Sequence, residues 1–184
     1  MKAHQGERVA EEVGTAVTIG LLAAWALHDT EELALVPGRL RKNLPALRER
    51  FPGVPQAVWE RLGRLDGREF RLAVALMAAV VAAAAADGRR TGGRSVVYQT
   101  ALTGFGLHGL LHLAQAVAAR GYTPGSATSP VVVIPFTLWA RGRLRRAGVL
   151  RPTRARDVLY GTAFAGASVV ATHALAHRLL ASRR

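Results

Sequence analysis

The chain contains no cysteine, which excludes disulfides, iron–sulfur clusters and thiolate metal sites. Aromatic residues make up only 6% of it. Acidic residues are also scarce: 12 stand against 25 lysines and arginines, for a formal net charge of +13. Such a basic excess raises the question of nucleic acid. Nucleic-acid modules carry their cations on one face of a soluble fold, often beside exposed aromatics. Here the arginines crowd into short connections between long apolar runs, so anionic lipid headgroups account for the charge more simply. No nucleic-acid partner is expected. No internal repeat is visible, and nothing reads as a long disordered tail.

What remains is an apolar chain, 50% hydrophobic over 184 residues, with its charges segregated rather than spread over every helix. A span needs roughly 20 apolar residues to cross a hydrocarbon core of about 30 Å. Five segments approach that: residues 13–36, 70–86, 96–119, 124–144 and 158–180. The expected fold is therefore all-α, a single polytopic transmembrane bundle of about five spans, integral to the cell membrane. Residues 1–12 are polar and unlike a signal peptide's basic start, so the first run is expected to be a retained span. Pro37 and Gly38 are expected to end it. Residues 39–69 then form a basic connection, with a short interfacial helix over 56–65 carrying Val58, Leu62 and Leu65 on one side. The fourth segment is the shortest in apolar length and contains Pro135, which a span tolerates where neighbours satisfy the freed carbonyl. The basic connections divide almost evenly between the two sides, so they set no orientation.

The chemistry lies inside these runs. Residues 28–32 read HDTEE, and apolar residues resume after Glu32. Residues three and four apart share a helix face, so His28, Glu31 and Glu32 project together. Carboxylates and imidazoles stay in a span when they are paired, metal-bound or lining a polar cavity. His108 and His112 stack on the third segment, Gln115 continues their face, and His173 and His177 repeat the spacing on the fifth. His28, His112 and His173 each lie roughly 22–24 Å into their runs at about 1.5 Å per residue. If all five segments cross, the three histidines share one layer. Glu69 and the turn at Tyr122, Pro124 and Gly125 face that same side. Proline followed by glycine suits a type II turn, which requires positive φ at its third position. His177, next to Arg178, is read as a bystander near the interface.

HDTEE at 28–32, His112 in HLAQA and YTPG at 122–125 together resemble the HXXEE family of membrane proteins, from the first span through the fourth. The resemblance implies a helical membrane domain and supplies no reaction. His28, Glu31 and Glu32 match the motif and His112 its additional histidine, while His108 stands where the resemblance implies asparagine.

The leading functional expectation is a membrane-embedded enzyme acting on a lipid-soluble small molecule. Its catalytic residues would be His28, Glu31, Glu32 and His112. A divalent metal, zinc or non-haem iron, would be held among His28, Glu31, Glu32, His108, His112 and His173. Mixed imidazole and carboxylate donors suit those metals better than copper(I), although the Glu-x-x-His pairs of di-iron bundles are absent. A metal-free alternative uses a buried glutamic acid to isomerise or cyclise a terpenoid or sterol-like substrate. A third is a proton-coupled transporter or channel, against which the missing inverted repeat counts. Besides its substrate, the expected partner is membrane lipid.

Overall fold

A computed structural model describes residues 13–152 and 154–182. The polar amino-terminal stretch, residues 1–12, lies outside them. The described residues are all-helical, without strands. Helical turns at 13–18 lead into α1 (Gly20–Arg50), followed by α2 (Gln56–Gly63), α3 (Gly67–Arg90), α4 (Val96–Ala119), α5 (Ile134–Arg146) and α6 (Ala155–Ala181). A π-helical segment, Ser129–Val133, opens α5.

Local chemistry sets most of these boundaries. Asp66 caps α3 by accepting the Glu69 N–H at 2.7 Å, and Ser95 caps α4 by accepting that of Tyr98 at 3.1 Å. At the end of α4 the left-handed residue is Arg120 (φ 51°), and Gly121 follows by donating to the Ala116 carbonyl at 3.0 Å. The expected stop at Pro37 and Gly38 is wrong: α1 runs through both Pro37 and Pro45. Proline removes one helical hydrogen bond but its φ is helical, and the flanking Glu, Leu, Ala, Arg and Lys residues are strong helix formers. The chain turns instead at Phe51, where Pro52 disfavours α conformation in the residue before it.

The core joins the start of α1 to α4 and α5. Val13, Val17, Leu21 and Trp25 pack with Tyr98, Leu102 and Phe105 of α4 and with Val133, Ala140 and Leu144. Tyr98 is fully buried and donates its hydroxyl to the Val17 carbonyl. α6 packs mainly on α3 and α4, and α1 on α3 and the π segment. In α2 the buried residue is Trp59, while Leu62 and Leu65 line a cavity and Val58 is exposed.

Among the described residues, two helices are long and apolar enough to cross a membrane: α3, over Gly67–Arg90, and α6, over Val158–Ala181. α4 is as long as α3 but carries Tyr98, Gln99, His108, His112 and Gln115. α1 carries HDTEE, and α5 is only 13 residues long.

A methyl group added at Gly88 of α3 would lie 2.5 Å from the Tyr98 ring. That ring is held at both ends, by its backbone and by the bond to Val17. Gly88→Ala should therefore destabilise the protein by about 1–3 kcal/mol, read as a lower unfolding midpoint in detergent; an unchanged midpoint would mean that α3 and α4 part without cost.

Candidate functional site

The motif helix distributes its polar residues by rotation. At 3.6 residues per turn, Glu32 lies about 40° from His28, Asp29 about 60° beyond Glu32, and Glu31 about 60° to the other side of His28. Glu31 and Glu32 therefore face different neighbours, and the structure follows that division.

Glu31 turns to the loop between α4 and α5. One of its oxygens accepts the Tyr122 hydroxyl, the Gly125 N–H at 3.0 Å and the Ala127 N–H at 3.4 Å. The other accepts the Thr128 N–H at 2.9 Å and its hydroxyl at 2.6 Å. With five donors on a carboxylate, which only accepts when ionised, Glu31 is an anion that holds the loop. It was expected among the catalytic and metal residues. The structure sets its oxygens on loop donors, apart from the group formed by His28, Glu32, His108 and His112.

The loop is the expected turn. Ser126 N–H donates to the Thr123 carbonyl at 3.0 Å across Pro124 and Gly125, and Gly125 has φ 85° as a type II turn requires. A Cβ on Gly125 would meet the His112 ring at 2.5 Å. The turn therefore closes over His112 as well as gripping Glu31. Partial burial, with the Glu31 charge beside it, pushes the Tyr122 hydroxyl up to about 12, so it remains a donor. Arg39 stacks on the Tyr122 ring, 4.4 Å from its centroid, and bonds its carbonyl at 3.1 Å.

Thr128 connects the loop to His28. Its single hydroxyl proton goes to anionic Glu31, so at 2.7 Å from His28 Nδ1 its oxygen must accept. His28 is fully buried and is thereby fixed as the Nδ1–H tautomer. Its Nε2 bears a lone pair and has no hydrogen-bond partner among the described residues.

His28 belongs to a tight cluster. One ligand atom each from His28, Glu32, His108 and His112 lies within 4.8 Å of all the others. The rings of His28 stand 5.1 Å from His108 and 5.0 Å from His112, and those of His108 and His112 are 4.3 Å apart. His112 Nε2 lies 3.1 Å from Glu32 Oε1 and 2.9 Å from His108 Nε2. His112 Nδ1, like His28 Nε2, is buried without a partner among the described residues.

His173 does not join them. Its ring packs against Phe70 at 5.9 Å, and it lines the same cavity as His108 and His112 without joining their group of donors. The shared layer expected of three histidines contains two, with His108 the third imidazole. His177 also stands outside the cluster, as expected of a bystander: its Nδ1 sits 3.2 Å from Glu69 Oε2, and Arg61 pairs with the other Glu69 oxygen.

A cavity of about 1300 Å³ reaches the cluster, with Glu32, His108, His112 and Gln115 in its wall beside apolar residues such as Val74, Met77 and Phe105. Asp29, only 6% exposed, lines it too, and its Oδ2 has no partner among the described residues. The sequence reading passed over Asp29 and Thr128 as site residues. Asp29 was legible as the third neighbour of Glu32 on one helix face. Thr128 gave no signal beyond that of a helix start.

Residues 19–140 match the family described as a protein of unknown function with HXXEE motif, and the chain belongs to that family. His28, Glu31 and Glu32 are its motif residues in this sequence. No curated protein and no solved structure matches the chain.

Thr128→Val keeps the side chain's shape but removes the oxygen that selects the His28 tautomer. Imidazole ¹⁵N spectra should show a single Nδ1–H form of His28 in the parent and a mixture in the variant. A parent spectrum dominated by Nε2–H would overturn the assignment.

Proposed function

We propose that the protein is a multi-pass membrane enzyme that acts on a lipid-soluble substrate at a divalent metal held by His28, Glu32, His108 and His112. The observation that carries this reading is a set of four donors on α1 and α4 within 4.8 Å of one another, in which the fully buried His28 has its Nδ1 tied to Thr128 and its Nε2 without a partner among the described residues. A metal-ligating histidine typically donates its other ring N–H to a fixed acceptor, which sets its tautomer, and Thr128 does so here. Around a tetrahedral metal with bonds of about 2.1 Å, donor atoms sit about 3.4 Å apart. Separations within 4.8 Å come into that range by small side-chain rotations. Three imidazoles and one carboxylate suit zinc or non-haem iron. The bound metal would supply Lewis-acid or water-activating chemistry. This chain's residues position the donors, exclude water through the Tyr122, Pro124 and Gly125 turn, and offer an apolar cavity to the substrate.

Five crossings fit the chain if α1, α4 and α5 accompany α3 and α6, the polar groups of α1 and α4 facing inward on the cavity, where charged and imidazole groups are tolerated in a span. The protein should then remain with membranes through alkaline carbonate extraction. Recovery of folded chain in the soluble fraction without detergent would overturn the membrane assignment.

A metal-free reading has its own support in the contact between Glu32 and His112, a carboxylate and an imidazole at 3.1 Å. Such a pair can move a proton to and from a bound substrate. Elemental analysis of protein purified in detergent separates the two. Under the metal reading it should find about one zinc or iron per chain, lost in both His28→Ala and Glu32→Ala while circular dichroism stays helical. A metal-free parent that turns over substrate, and loses this in Glu32→Gln, would establish the acid–base reading in its place.

A further inference from the structure

The cavity is electrically polar along its length. α1 supplies one continuous wall, Glu32, Val36, Arg39, Asn43, Leu47 and Arg50, spaced three or four apart so that they share a face. At the inner end are the carboxylates Asp29 and Glu32 and the imidazoles. At the outer end are Arg39 and Arg50. Neither arginine makes an ion pair among the described residues: Arg39 bonds the Tyr122 carbonyl and stacks on its ring, and Arg50 bonds the Ala118 carbonyl. Arg61, also in the wall, is neutralised by Glu69. The rest of the lining is largely aliphatic and aromatic, with Val36, Leu47, Leu62 and Val74 among it.

We infer that the occupant of this cavity is an amphiphile with an anionic head, a carboxylate or phosphate, bound at Arg39 and Arg50 with its hydrocarbon chain directed toward His28, Glu32, His108 and His112. The free cations fix this direction. The outer end presents two guanidiniums suited to bidentate binding of carboxylate or phosphate, whereas at the inner end Glu32 and the imidazoles are the donors assigned to the metal, with Asp29 a further acidic group beside them. Glu32 and Arg39 are two helical turns apart, about 10 Å. The atoms presented to the cluster therefore belong to the chain, several bonds from the head. The volume, about 1300 Å³, exceeds the roughly 300–1,000 Å³ of ordinary small-molecule pockets and accommodates a long chain. This assignment names the substrate class of the site proposed above and rests on that reading for what happens there.

The test is direct binding to the full chain in a non-ionic detergent, using the fluorescent polyene fatty acid cis-parinaric acid, its methyl ester, and a long-chain alkyl phosphate as competitor. The acid should bind at least about tenfold more tightly than the ester, a difference of about 1.4 kcal/mol. The alkyl phosphate should displace it, and inorganic phosphate at about ten millimolar should not. Arg39→Gln and Arg50→Gln should each erode the preference for the acid without weakening the ester, and Arg39→Lys, which keeps the charge, should retain most of it. Equal affinity for acid and ester, displacement by inorganic phosphate alone, or full acid preference in the double Gln variant would overturn the inference. The binding assay needs neither metal nor turnover, so a failed metal assay and a failed binding assay point to different errors.

Discussion

The structure depends on one carboxylate. Glu31 sits on the first helix, partly exposed, with both of its oxygens turned to one loop. Five donors from a single loop, two hydroxyls and three backbone N–H groups, satisfy it. The loop lies some 90 residues away in sequence, |i−j| being 91 for Tyr122. These bonds hold the connection between α4 and α5 folded back onto α1. A neutral residue there would leave three backbone N–H groups of the loop without that acceptor, each costing about 1–3 kcal/mol if it stayed buried.

From that constraint the site geometry follows in sequence. The loop brought to Glu31 carries Thr128, whose hydroxyl is committed to Glu31 and so can only accept from His28. It also carries Gly125, whose missing side chain lets the turn lie against the His112 ring. One ion therefore sets the tautomer of one histidine and confines the ring of another, without itself touching the cluster. In a motif of two adjacent glutamates, the first builds the housing and the second faces the cavity.

Much of this was legible beforehand. The type II turn at Thr123–Ser126 followed from proline and glycine chemistry, and the apolar run at 96–119 became α4 over the same residues. His28 and His112 met as their matched depths suggested. His173 did not, because counting residues from a span's start gives depth and leaves rotation about the helix axis open. At its level His173 is turned to Phe70. The same neglect of rotation grouped Glu31 with Glu32 and missed Asp29, although about 100° per residue separates them in ways a helical projection makes plain. Pro37 misled for another reason: strong helix formers on both sides outweighed the loss of one hydrogen bond.

Two polar centres occupy this end of the bundle, and the contrast between them bears on function. Glu69 is met by Arg61 from α2 and His177 from α6, and none of the three has a buried atom left unpartnered. That centre is a finished tie, clamping the short helix that carries Trp59 against the bundle. The cluster on α1 and α4 is unfinished. Of six buried side-chain nitrogen and oxygen atoms without a partner among the described residues, three are here: His28 Nε2, His112 Nδ1 and Asp29 Oδ2. At about 1–3 kcal/mol each, such atoms would be selected against if the cluster served only to hold helices together, since an apolar contact of similar shape would do so at lower cost. Pairing of the first centre and under-satisfaction of the second supports placing structural work in Glu69, Arg61 and His177, and chemistry among His28, Glu32, His108 and His112. The cavity beside the second centre is walled by Asp29, Glu32, His108 and His112.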